Sequence, residues 1–103
     1  MAPRKKTTAK SILETKVVLH NGVIVEMKIW EVPKDERFSQ GYKYSLFAVF
    51  NGQVLVGYDN HHPKGHHRHI EDKELPYHFG SLESLKNDFK ADLEVQLGKA
   101  GLG

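Results

Sequence analysis

The chain contains no cysteine. This excludes disulfide staples, thiolate nucleophiles and Cys-built zinc or iron–sulfur sites, and it fits a reducing compartment, the cytoplasm. A membrane-spanning run is also missing. Ser45–Tyr58 is uncharged, but it is too short to cross a bilayer and is split by Asn51-Gly52. Residues 1–10 carry Arg4, Lys5, Lys6 and Lys10 with no apolar segment behind them, so they lack the second half of a signal peptide. Neither sign of charge dominates: 15 Lys and Arg face 13 Asp and Glu, a net charge of +2, which is no indiscriminate polycation. At 103 residues and 39% hydrophobic content there is material for one core and not for two.

These limits lead to a three-part layout: residues 1–10 a disordered basic tail, 11–97 a single domain, and 98–103 a frayed C-terminus. From Ile12 onward, β-branched and aromatic residues run in stretches broken at Asn21-Gly22 and Asn51-Gly52. Asn-Gly tolerates the paired positive φ angles of a type I′ turn, so each marks a hairpin. Alternation of Val23, Val25, Met27 and Ile29 with Ile24, Glu26, Lys28 and Trp30 gives the second strand one apolar face. A two-residue turn at Asn51-Gly52 predicts Val49 opposite Val54, Leu46 opposite Gly57 and Tyr44 opposite Asp59. Ser81 then caps a helix in which Leu82, Leu85, Phe89, Leu93 and Leu97 recur at helical spacing before Gly98. The expected fold is α+β: an antiparallel sheet of two hairpins, four strands with a short fifth around Tyr77–Phe79, and one C-terminal helix packed on one face. The apolar central hairpin leaves room for a homodimer interface.

Between the fourth strand and the helix the composition changes. Six of the seven histidines fall within residues 61–78, in a connection longer than a compact domain needs. Three chemistries fit. Neutral imidazoles ligate zinc, copper or nickel, and His67 and His69 at i, i+2 share a side of an extended chain. Against that stand the interleaved cations Lys64 and Arg68, and no metal or other cofactor is assigned. Metal-independent RNA cleavage needs a base for the 2′-hydroxyl, an acid for the leaving oxygen and a cation for the phosphate. His67, His69, Arg68, Lys64 and Tyr77 supply those residue types. The last reading is a polar loop with solvated histidines. On it His61, His62 and His66 are surface, His20 flanks a turn, Asp59 and Asn60 cap a strand exit, and Tyr77 and Phe79 are edge packing.

The block Val56-Gly57-Tyr58-Asp59-Asn60, with Lys64-Gly65, His67-Arg68-His69, Pro76-Tyr77, Phe79, Leu85 and Asp88-Phe89, resembles the TumE family of toxin–antitoxin proteins, formerly a domain of unknown function. Lys28–Pro33 and Tyr42–Leu46 extend the likeness, which covers residues 17–95. The resemblance implies a small toxin encoded beside a helix-turn-helix antitoxin and inhibited by direct binding. Joined to the residue chemistry, it yields the expectation of an RNA-cleaving toxin. Arg68 and Lys64 hold phosphate, His67 and His69 exchange protons, Asp59 orients an imidazole, Tyr77 assists, and Arg4, Lys5 and Lys6 add a phosphate-binding arm. A non-enzymatic module that binds nucleic acid or protein, and a His-rich metal-binding protein, are the alternatives.

Overall fold

A computed structural model describes residues 9–103 of the chain. The basic residues Arg4, Lys5 and Lys6 lie outside the described residues. Among the described residues six strands, β1 (Lys10–Val18), β2 (Ile24–Glu31), β3 (Tyr42–Phe50), β4 (Gln53–Asp59), β5 (His67–Ile70) and β6 (Lys73–Pro76), precede one helix, α1 (Leu82–Lys99). They form an antiparallel meander in the order β1-β2-β3-β4-β5-β6. The α+β class and the C-terminal helix are as expected, but the strand count is six, not four or five. The surplus comes from the histidine segment, which folds into a third hairpin. Tyr77–Phe79, expected as the fifth strand, is irregular chain just after β6.

Turn chemistry explains the two expected hairpins and the unexpected one. At Asn21-Gly22 only Gly22 has a positive φ (93°), so β1 and β2 are joined by a longer loop, closed by Leu19 N donating to Val23 O (2.8 Å), and not by the I′ turn expected there. Asn51 and Gly52 hold φ of 52° and 75°, the I′ geometry predicted for them. At the tip of the β5–β6 hairpin, Glu71 and Asp72 take up φ of 53° and 67°. These are the same left-handed values without a glycine, so no Asn-Gly signal marks the turn.

The β3–β4 register departs from expectation in an informative way. Val49 does pair with Val54, but the ladder shifts between Ala48 and Val49, so Ala48 faces Val56 and Leu55 is the extra residue of a bulge. Leu46 therefore pairs with Tyr58, and Ser45 with Asp59, in place of the predicted Leu46–Gly57 and Tyr44–Asp59 pairs. A one-residue slip exchanges the two faces of a strand. Tyr58 goes into the core and Asp59 to the opposite, open side.

Helix α1 packs across β4 and covers one face, where Ile29, Tyr44, Leu46, Val56, Tyr58, Leu85 and Phe89 form the core. Ser81 caps it through a capping box: its side chain accepts from Ser84 N, and Ser84 Oγ accepts from Ser81 N. The helix runs one residue past Gly98, to Lys99. Beyond it Leu102 N donates to Leu97 O (2.8 Å), and Asn21 Nδ2 donates to Leu102 O (3.0 Å).

Candidate functional site on the open sheet face

Directly opposed residues of an antiparallel pair share a face. The pairs Ser45–Asp59, Asp59–His67, Phe47–Gly57, Gly57–His69 and His69–Glu74 therefore run as a band across β3 to β6 on the side away from the helix. Gly57 lies at the centre of this band. Having no side chain, it lets the Phe47 ring lie over its backbone; a Cβ there would stand 2.2–2.9 Å from three ring atoms. The same ring comes within 5.8 Å of the His69 ring, centroid to centroid, and walls one side of the histidine pair.

His67 is nearly buried, at 6% exposure. Its Nδ1 lies 2.8 Å from Gly65 O; a carbonyl only accepts, so Nδ1 carries the proton. This fixes the ring and aims Nε2 at two carboxylates, Asp59 Oδ1 at 2.7 Å and Glu74 Oε2 at 3.4 Å. His69 stands edge-on to His67, ring centroids 4.9 Å apart, with its Nε2 4.0 Å from Asp59 Oδ2. Lys64 donates to Glu74 Oε1 (3.1 Å) and holds the Glu74 carboxyl below its usual range. Asp59, His67 and His69 offer ligand atoms that all lie within 4.8 Å of one another.

Arg68 and Tyr77, counted with the histidines on sequence grounds, stand apart from them. Strand alternation turns Arg68 to the helix side, where Nη1 donates to Asp92 Oδ2 (3.0 Å) and to Tyr58 OH (3.3 Å). Tyr58 in turn donates to Asp92. Tyr77 also faces the helix, donating to Asp88 Oδ2 (2.6 Å) with its ring edge-on to Tyr58 at 4.8 Å. The structure thus gathers Asp59, His67 and His69, with Lys64 joined through Glu74, and separates Arg68 and Tyr77.

Glu74 went unnoticed in the sequence, and His66 is half-buried where surface was expected. Glu74 enters the cluster because the Glu71-Asp72 turn folds β6 back, and a hairpin reading of residues 67–76 would have placed it opposite His69. His66, read as surface, is stacked on Phe79 with ring centroids 5.1 Å apart, and it bonds Tyr44 OH (2.8 Å) and Gln40 Oε1 (2.9 Å). Burial, and then the charges of His67 and His78, lower its pKa. Next to it Asn60, 3% exposed, accepts from Tyr44 N and donates to Tyr42 O, replacing ladder bonds where β4 ends. Its role is the strand-exit cap expected from its type.

Three shallow hollows lie along the open face. One is lined by Phe47, Val54, His69, Asp72 and Glu74; the next by Lys43, Ser45, Asp59 and His61; the last by Lys28, Trp30, Val32 and Lys43. No helix among the described residues is long and apolar enough to cross a membrane. No curated protein and no solved structure matches the chain. The family model described as Toxin TumE matches it over residues 4–97, nearly its whole length, and the chain belongs to that toxin family.

Proposed function

We propose that this toxin acts in the cytoplasm on RNA and cleaves it, without a metal, at the Asp59–His67–His69 cluster. The observation that carries the reading is the convergence of two imidazoles and a carboxylate on an open sheet face. Imidazole gives and takes protons near neutrality, which 2′-hydroxyl attack on the adjacent phosphate requires at both the entering and the leaving oxygen. His69, about one-third exposed, meets the substrate; His67, oriented by Gly65 O and Asp59, is the second proton carrier. The expected phosphate ligands change in part. Lys64 is retained, because its pair with Glu74 is solvent-exposed and lies on the open face, and Lys43 joins it there, whereas Arg68 is committed to Asp92 on the helix side. Phe47 beside His69 and Trp30 farther along the face give a single-stranded chain rings to stack on.

Membership in the family brings an antitoxin partner, and we read that partner as a helix-turn-helix protein encoded beside the toxin that inhibits it by direct binding. The experiment is RNA cleavage by purified toxin in excess chelator, compared with His67→Ala, His69→Ala and the double variant. Each single change is expected to lower the rate at least about 100-fold with the fold intact. Full cleavage by the double variant would falsify the catalytic assignment. RNA that stays whole but is bound, with affinity falling steeply as salt rises, would support instead the non-enzymatic binding module, for which the Lys28–Trp30–Lys43 stretch and the basic tail are the natural track.

A further inference from the structure

In the sequence, the cations Lys64 and Arg68 stand among the histidines, where they would repel a metal ion. In three dimensions Arg68 is on the other side of the sheet, paired with Asp92, and Lys64 is neutralised by Glu74 Oε1. What remains on the open face is His67 Nε2, His69 Nε2, the Asp59 carboxylate and Glu74 Oε2.

Their spacing suits a single ion. Nitrogen and oxygen ligands about 2.1 Å from one ion stand about 3.0–3.4 Å apart at octahedral and tetrahedral angles. The gaps here, 2.7 Å from His67 Nε2 to Asp59 Oδ1, 3.4 Å to Glu74 Oε2 and 4.0 Å from His69 Nε2 to Asp59 Oδ2, fall on both sides of those values, and the ligand atoms of Asp59, His67 and His69 all lie within 4.8 Å of one another, so small side-chain rotations close them on one ion. The second requirement is an oriented imidazole: a metal-binding histidine donates its other N–H to a carbonyl or carboxylate, and His67 Nδ1 does so to Gly65 O. Third, the Asp59 carboxylate, with Glu74 shared between the site and Lys64, offsets part of a dication's charge.

We infer that Asp59, His67 and His69, with Glu74, form a binding site for one divalent first-row transition ion of the zinc, cobalt or nickel class. Two imidazoles select that class over magnesium and calcium, which prefer oxygen alone. An ion held there occupies the Nε2 lone pairs that proton exchange uses, so the loaded form and the RNA-cleaving form proposed above exclude each other. Binding itself does not depend on that reading and is measured without RNA.

The test is titration of chelator-stripped, full-length protein with cobalt(II), followed by its visible absorption band and by displacement with zinc. One equivalent is expected to bind. His69→Ala, at a partly exposed position that the fold tolerates, and Asp59→Asn, which keeps a polar group beside His67, are each expected to weaken binding at least about tenfold. The exposed pair His61→Ala/His62→Ala is expected to leave it unchanged. Binding that follows His61 and His62 instead, that ignores the Asp59 and His69 substitutions, or that fails to saturate at one equivalent overturns the assignment. Loss of RNA cleavage in the same variants with cobalt affinity untouched would sink the metal site and leave the catalytic proposal standing.

Discussion

His67 and Arg68 are consecutive in the chain and face opposite sides of the sheet: His67 Nε2 lies 2.7 Å from Asp59 on the open face, and Arg68 Nη1 lies 3.0 Å from Asp92 on the helix face. The strand thereby divides its polar residues between two tasks. The imidazole joins the polar cluster of the open face, while the guanidinium clamps the helix that supports the sheet from behind.

The clamp makes Arg68 a stability residue. Removing its side chain leaves Asp92 with the Tyr58 hydroxyl alone, so Arg68→Ala is expected to lower unfolding free energy by about 1–2 kcal/mol, with the partly solvated guanidinium keeping the loss small. Urea denaturation reads the change as a lower midpoint at constant slope. A phosphate contact behaves differently: an unmoved midpoint, together with a salt slope of RNA binding reduced by about one, would return Arg68 to the nucleic-acid surface.

Gly57 is constrained by space and not by its backbone. The Phe47 ring rests where a side chain would stand, so Gly57→Ala must displace that ring, at an expected cost of about 1–3 kcal/mol for overpacking. Because the ring also walls the His69 side of the cluster, its displacement loosens the site. The double variant Gly57→Ala/Phe47→Leu makes room for the methyl group and is expected to regain part of the lost stability. A thermal midpoint no higher in the double variant than in Gly57→Ala would mean that the two residues are not coupled.

Which parts of this architecture were legible follows from where the local signals lie. Asn51-Gly52, the capping Ser81 and the Leu85–Phe89–Leu93 spacing are short-range features, and turn, cap and helix all formed where they pointed. The bulge at Leu55 left no comparable mark, although it decides whether Tyr58 or Asp59 meets the core. Glu71-Asp72 hid a hairpin because nothing but left-handed backbone geometry distinguishes it from a charged loop. With that hairpin went the alternation that separates Arg68 from His67 and His69, and the return strand that delivers Glu74. The residue types of the site were readable along the chain; their sidedness depends on pairing between strands, which one strand's text does not contain.

Tyr58 ties this geometry to alkaline stability. Burial, reinforced by its bond to Asp92 and partly offset by Arg68, pushes its phenol up to about 12. In the unfolded chain the same group titrates near 10. Below pH 10 both states hold the proton and the contribution to stability is complete; between about 10 and 12 the unfolded state releases it first, so stability falls as pH rises. Tyr44 and Tyr77, also shifted upward mainly by burial, act with the same sign. Urea unfolding from pH 8 to 11.5 should therefore show a midpoint that declines above pH 10, and Tyr58→Phe, though less stable at pH 8, should decline less steeply. An equal decline in both proteins would place the titrating group elsewhere than at Tyr58.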